Sequence, residues 1–241
     1  MTRGNDPFRY LPELRDKIAN PMTSDLRDFD LAVLDEKMRQ AGAPENWRHS
    51  DTHREASRRN TLHGRGDSDL WVFAYGSLIW DPAFLFSEVR TGLLKGYHRA
   101  FCLTSVLGRG TPENPGLMAG LDMGGDCVGL VFRIDRDQIE HETRVIWRRE
   151  MLLHAYVPTF VHVETPLGNV EALAFVVDHA AESYRSGLSE EETARHLASA
   201  VGFIGSGLAY IENLVEHLEA VGIVDRPLVR LRDLARRMAA Q

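Results

Sequence analysis

The sequence has few cysteines, no long apolar run and no excess of basic residues. Its 241 residues include two cysteines, Cys102 and Cys127. Both lie in apolar, strand-like segments, where a buried free thiol is commoner than a disulfide. No apolar run approaches the roughly 20 residues that span a bilayer, and the N-terminus lacks the apolar core of a signal peptide. We therefore expect a cytoplasmic protein without a membrane partner.

The charge balance narrows the class of ligand. The formal net charge is −7, and the main body of the chain carries no basic block of the kind that nucleic acids or anionic membranes require. We therefore expect a small-molecule substrate and no nucleic-acid partner. With 44% hydrophobic residues, the chain can bury one sizeable core, with or without an appended arm. The sequence leaves the oligomeric state open.

Residues 1–69 differ in composition from the rest of the chain. Within them, only residues 28–40 show apolar periodicity, which predicts a helix. Residues 51–60 are polar all round and are followed by Gly64 and Gly66, a pattern typical of a solvated or loosely packed linker. We therefore divide the chain into a partly helical or loosely ordered arm, residues 1–69, and a main domain, residues 70–241. The arm is expected to be dispensable for the chemistry.

After residue 70 the sequence predicts short strands and then helices. An apolar run over residues 71–80 breaks at Gly76, as a buried strand that ends in a turn would. Further strands are predicted at residues 89–94, 97–105, 117–121, 127–134, 159–164 and 170–177, with a tight hairpin turn at the glycine pair of residues 122–126. Helices are predicted over residues 135–157 and in the segments that begin at Ser189, Ala209 and Pro227. This order favours an α+β domain with a small mixed barrel or curled sheet covered by helices.

The helix predicted over residues 135–157 carries an acid on its apolar face. Helical spacing places Glu150 in a stripe with Ile139, Thr143, Ile146 and Leu153. Burying a carboxylate ion costs several kcal/mol unless a partner compensates it. Glu150 is therefore either half of a structural ion pair, with Arg99, Arg148 or Arg149, or a base with a raised pKa in a partly desolvated cleft.

The turn after the first strand is a candidate anion site. Gly76 can adopt a backbone conformation closed to other residues, and its lack of a side chain lets the amide groups of Ser77 and Leu78 approach a ligand.

Two motifs together resemble a known family. Tyr75-Gly76-Ser77-Leu78 and the downstream Gly-Thr-Pro-Glu-Asn-Pro-Gly of residues 110–116 are similar to motifs of the ChaC-type γ-glutamylcyclotransferases, which degrade glutathione. The resemblance covers about residues 71–225. It implies that residues 70–241 form a γ-glutamylcyclotransferase-like catalytic domain that cleaves glutathione to 5-oxoproline and Cys-Gly, with no cofactor and no metal.

The resemblance also implies roles for individual residues. Arg149-Glu150 matches the family's arginine and catalytic glutamate, which implies Glu150 as the general acid and base. The implied substrate-binding residues are Tyr75, Gly76, Ser77, Leu78, Arg109, Tyr156 and Tyr210. The sequence departs from the family at Leu107-Gly108, where an aromatic or His-type pair often stands, and at Ala74, where many members have glycine. The first departure bears on how the pocket is covered.

Other functions remain open at this level. A metal site could use His141, His154 and His162 with Glu142, Glu150 and Glu164, although the spacing matches no zinc pattern. A Cys102 nucleophile with His98 would require two groups too far apart along a strand. The chain could also be a non-catalytic protein of the same fold, or act on other γ-glutamyl amino acids or amines. Leu78, where the classical γ-glutamylcyclotransferases often carry asparagine, favours glutathione.

Overall fold

A closed five-stranded barrel forms the centre of the molecule. The computed structural model describes residues 6–106 and 108–241. The strands are β1 (Leu70–Ala74), β2 (Glu88–Ser105), β3 (Gly116–Ile134), β4 (Tyr156–Glu164) and β5 (Val170–Val177). They are arranged in the order β1-β3-β2-β4-β5, with β1 parallel to β5 and the other paired neighbours antiparallel. The predicted α+β class with a small mixed barrel is confirmed.

Strand β1 is apolar because both of its faces are covered. Val72 and Ala74 pack into a hydrophobic cluster that also contains residues of the flanking helices. Phe73, on the opposite face, and Tyr75, just after the strand, belong to a second cluster within the strands. A strand buried on both sides needs an apolar side chain at every position, so it shows no alternation. This burial fixes the place where the chain leaves the barrel at Gly76.

The hairpin turn predicted at residues 122–126 is wrong. Strands β2 and β3 pair from Glu88↔Arg133 to Ser105↔Gly116, with register shifts between Lys95 and Tyr97 and between Phe101 and Leu103, and the chain reverses between Ser105 and Gly116. Gly124 and Gly125 have φ of 94° and 67°, and they lie opposite the irregularity between Lys95 and Tyr97. The glycines therefore form a bulge that bends a long hairpin, and the predicted separation of β2 into two strands is also wrong.

The helices flank the barrel. They are α1 (Leu31–Gln40), α2 (Asp51–Leu62), α3 (Ile139–Glu150), α4 (Glu190–Ser199), α5 (Gly207–Ala220) and α6 (Arg226–Ala239), and a short hairpin, β6 (Val201–Gly202) and β7 (Gly205–Ser206), precedes α5. Helix α3 is shorter than predicted, because turns follow Glu150 and Tyr156 already begins β4. Within residues 6–106 and 108–241, none of the helices has the length and apolarity needed to cross a membrane.

The segment predicted as a loose linker is a packed helix. Helix α2 lies against α3. Arg58 of α2 is only 2% exposed, and it donates hydrogen bonds to Glu55, to Glu140 and to the hydroxyl of Thr143. A polar segment can be buried when each charge finds a partner, which composition alone does not reveal.

Buried arginine also ties the first part of the arm to α3. Arg27 donates two hydrogen bonds, of 2.8 and 2.9 Å, to the carboxylate of Glu142, which is fully buried. Backbone bonds join Pro7 to Val89 and Ala19 to Trp80. The arm therefore packs against β2, α3 and the turn after β1.

Candidate active site

Glu150 is the last residue of α3 and lies at the edge of the core. Ile139, Thr143 and Ile146, from the same stripe, are buried, whereas the side chain of Glu150 keeps 15% exposure. Burial raises the pKa of Glu150, and the adjacent Arg149 guanidinium opposes that shift. The C-terminal end of a helix also disfavours negative charge. These effects favour a carboxyl group that can gain and lose a proton nearer to neutral pH than an exposed glutamate can.

Three tyrosines surround Glu150. Tyr75 donates a 2.9 Å hydrogen bond to the Phe175 carbonyl in β5, and Tyr156 lies beside it at the start of β4. Tyr210 comes from the first turn of α5. Burial raises the pKa of all three phenols, and the negative charge of Glu150 raises them further. The phenols are therefore neutral at physiological pH and provide a polar but uncharged wall.

Arg149 connects the turn after β1 to Glu150. Arg149 donates a 2.6 Å hydrogen bond to the Ser77 hydroxyl and a second bond to the Asp81 carbonyl, while its Nε lies 3.2 Å from Oε1 of Glu150. One guanidinium thus joins the acid to the turn. The sequence indicated Arg149 as a possible ion-pair partner of Glu150 and as the arginine of the family's Arg-Glu pattern. Its contact with Ser77 depends on tertiary structure and had no sequence signal.

Gly76 has φ of −127° and ψ of −136°, outside the helical and extended regions. No protein atom lies within 4 Å of the position that a Cβ would occupy. The glycine therefore leaves open space next to the turn of Ser77–Ile79. Across the part of the chain that the structure describes, the amide groups of Ser77 and Leu78 have no hydrogen-bond acceptor. The Leu78 side chain is buried in the core, so only its amide is available to a ligand.

Arg109 reaches the same cluster from the loop between β2 and β3. Its guanidinium lies over the Tyr210 ring, 4.1 Å from the centroid, and the edge of Phe101 contacts the same ring. Burial lowers the pKa of Arg109. No carboxylate among the described residues pairs with Arg109. A guanidinium without a counter-ion beside an aromatic ring is suited to an anionic ligand.

The glycine-bounded motif of residues 110–116 shapes this loop. A Cβ on Gly110 would overlap the Gly116 amide nitrogen, so the two ends of the motif touch. Asn114 fastens the loop to α4 through a bond to the Ser199 carbonyl. Gly202, from the β6–β7 hairpin, packs directly against Gly108. The motif therefore holds Arg109 in place.

The structure brings the predicted site residues together around Glu150. Tyr75, Tyr156 and Tyr210 interact electrostatically with it, and Arg109 lies over Tyr210. Arg149 links Ser77 to Glu150, and Gly76 and Leu78 are the neighbours of Ser77 in the turn. Phe101 is an additional wall residue that the sequence analysis did not select, since it reads as an ordinary strand aromatic.

Among the described residues, neither the alternative metal site nor the alternative cysteine nucleophile has the geometry that it would need. Cys102 and Cys127 are free and buried, and burial raises their pKa values to about 12 and about 11, which disfavours a thiolate nucleophile. Glu142 pairs with Arg27, and Glu164 pairs with Lys95. Within residues 6–106 and 108–241, His, Cys, Asp and Glu side chains form no group of three or more that could hold a metal ion.

The chain is similar in sequence to proteins of one family. A family model described as ChaC-like protein matches residues 70–238. The glutathione-specific gamma-glutamylcyclotransferase of Escherichia coli (strain K12) is 36% identical over 217 residues, which cover 89% of this chain and 94% of the relative. The human glutathione-specific gamma-glutamylcyclotransferase 1 is 31% identical and covers 66% of this chain and 75% of its own length. The match to the bacterial relative includes part of the arm, because residues 70–241 are too few to supply it.

A solved structure supports the fold. The gamma-glutamyl cyclotransferase specific to glutathione from yeast superposes with a TM-score of 0.63 at 21% identity, and the match covers 71% of this chain and all of the yeast chain.

Proposed function

Because the chain belongs to the ChaC-like protein family, we propose that it is a glutathione-specific γ-glutamylcyclotransferase with Glu150 as its general acid and base. The observation that carries the proposal is a carboxyl group with a raised pKa among three neutral phenols, beside a turn with two unpaired amides. Glutathione as the substrate is supported by the names of the relatives from Escherichia coli and human.

The reaction is an internal aminolysis. The α-ammonium of the γ-glutamyl group first loses one proton, and the resulting amine attacks its own γ-carbonyl carbon. A C–N bond forms in the five-membered lactam, and the C–N bond to the cysteine nitrogen breaks. Glu150 takes the first proton as a base and gives it to the leaving nitrogen as that bond breaks. It then takes the second proton from the ring nitrogen and passes it on, so that the leaving nitrogen ends as the ammonium of Cys-Gly. Both products together contain the atoms of glutathione, so no co-reactant is needed.

The site residues supply orientation and charge. The amides of Ser77 and Leu78 are placed to receive the glutamyl carboxylate or the developing oxyanion, and Arg109 is placed to receive a carboxylate of the substrate. Holding the amine next to the carbonyl removes much of the orientational barrier to ring closure. Arg149 contacts both Glu150 and the turn, and so holds them in a fixed position relative to each other.

The positions of the site residues and the state of the two cysteines bear on how the chain is organised and on where it acts. Every group named in the mechanism lies after residue 70, so we propose that residues 70–241 are the catalytic domain and that the arm acts as a scaffold. The two free thiols fit the reducing cytoplasm, which we propose as the site of action.

The test is incubation of the purified full-length chain with glutathione, followed by mass detection of 5-oxoproline and Cys-Gly. The same assay with γ-glutamylalanine and γ-glutamylcysteine measures selectivity. We expect glutathione to give the highest kcat/KM. A folded protein that releases no 5-oxoproline from any of these substrates would refute the activity, and a preference for a dipeptide would refute the glutathione specificity.

A further inference from the structure

A cavity of about 370 Å³ lies between α1, α2 and α3 and is not lined by Glu150. Four arginines line it, Arg54 and Arg58 from α2 and Arg144 and Arg148 from α3. The cavity is therefore separate from the site described above, although α3 borders both.

Arg54 is the unusual group in this cavity. Its side chain is 8% exposed, and its Nη2 donates a 2.6 Å hydrogen bond to Asp51. Its Nη1 is enclosed and has no hydrogen-bond partner among the described residues. A buried charged donor left without an acceptor is costly. A ligand that offered an acceptor to Nη1 would lower the free energy of the site.

The carboxylates that line the cavity already have partners. Asp30 accepts from the first turn of α1, Asp51 accepts from Arg48 and Arg54, and Glu55 accepts from Arg58 and Arg59. The four arginines of the lining outnumber these three acids, although Oδ2 of Asp30 and Oδ2 of Asp51 accept no hydrogen bond from a described residue.

Most of the remaining hydrogen-bonding capacity in the lining belongs to guanidinium groups. Arg148 has only a 3.6 Å contact with Asp28, and its side chain is 37% exposed. Arg144 makes one bond to Glu140 and is 55% exposed. Two guanidinium groups in addition to Arg54 can therefore turn toward an occupant.

The N-terminal ends of two helices also border the cavity. Leu31 and Asp51 are the first residues of α1 and α2, and both line the cavity. The N-terminal end of a helix carries partial positive charge and favours anions. Asp30 already caps α1 and Ser50 caps α2, so the attraction for an anion comes mainly from the unpaired Nη1 of Arg54 and from the guanidinium groups of Arg144 and Arg148.

We propose that this cavity binds a phosphate group, either as inorganic phosphate or carried by a small molecule, through Arg54, Arg144 and Arg148. A phosphate dianion offers several acceptor oxygens, enough for three guanidinium groups. The cavity is also larger than inorganic phosphate needs, which leaves room for an attached organic group. A bound phosphate would join the arm to α3.

The experiment is titration of the full-length chain with inorganic phosphate by isothermal calorimetry at low ionic strength, where charge interactions are least screened. We expect one saturable site per chain. Arg54→Met should weaken binding tenfold or more, since a charged hydrogen bond is lost, and Arg148→Met should weaken it in the same direction. Arg59→Met is the matched control, because Arg59 is exposed on the same helix and does not line the cavity.

A variant in the catalytic pocket distinguishes the two anion sites. Arg109→Met should leave phosphate binding unchanged, and loss of binding in that variant would move the site to the catalytic pocket. If Arg54→Met does not fold by circular dichroism, Arg148→Met decides. The proposal is overturned if the wild-type chain shows no saturable binding, if the folded cavity variants bind as the wild type does, or if malonate binds more tightly than phosphate.

Discussion

Replacing Glu150 by glutamine should remove turnover while leaving the fold intact. The amide has nearly the shape of the carboxyl group, but it can neither accept the proton of the attacking amine nor return one to the leaving nitrogen. General acid–base catalysis contributes roughly 10²–10⁴-fold, which corresponds to about 2.7–5.5 kcal/mol of activation free energy. We expect kcat to fall by at least this factor and KM for glutathione to change little.

The stability of the same variant follows from the direction of the pKa shift. Burial raises the pKa of Glu150 in the folded state, so the folded protein holds this proton more tightly than the unfolded chain does. The free energy of unfolding therefore falls as pH rises from about 4, the unfolded value, through the folded pKa. Glutamine does not ionise, so the variant does not lose this stability as pH rises. Arg149 keeps its bonds to Ser77 and Asp81.

The assay pairs kinetics with thermal unfolding at several pH values. We expect the Tm of Glu150→Gln at pH 7 to equal or exceed that of the wild type, and the difference to shrink toward pH 4. Glu191→Gln, at an exposed position in α4, controls for loss of one carboxylate. A variant with near wild-type kcat would refute the mechanism. A variant that is inactive because its Tm has dropped by several degrees would identify Glu150 as a structural ion-pair partner.

Three further outcomes are expected. Gly76→Val should raise KM for glutathione with little change in Tm, because its Cβ would occupy open space beside the turn; steady-state kinetics with an unchanged KM would rule out the turn as a binding element. Arg149→Met should move the acidic limb of the kcat/KM profile to higher pH, because the guanidinium lowers the pKa of Glu150; an unmoved limb would contradict this coupling. A chain that starts at Asp69 should lose about 3–5 kcal/mol in urea unfolding, because Glu142 loses Arg27; unchanged stability would show that the arm is dispensable.

The stripe on α3 shows how much of the site was accessible from sequence. The spacing of Ile139, Thr143 and Ile146 predicted a buried face, and the acid continuing that face at Glu150 marked the position where chemistry could occur. The contact between Arg149 and Ser77 could not be predicted, because the end of α3 and the turn after β1 meet only in the folded barrel.

Glycine explains the main error in the fold. A Gly-Gly pair with positive φ is the signal of a tight hairpin turn, and the same conformation also makes a bulge within a long strand. Gly124 and Gly125 lie in the second context. Residues 51–60 were misread for a different reason, since the buried Arg58 looks in sequence like a charge of a solvated segment.

The pairing of Arg27 with Glu142 sets an order of events during synthesis. The two residues are 115 positions apart, and ribosomes add about 5–20 residues per second, so Arg27 leaves the ribosome roughly 6 to 23 seconds before its partner. During that interval strand β1 can already have paired with β3, whereas Arg27 has no carboxylate partner until α3 emerges. The contact between the arm and α3 therefore forms late, although the arm is made first.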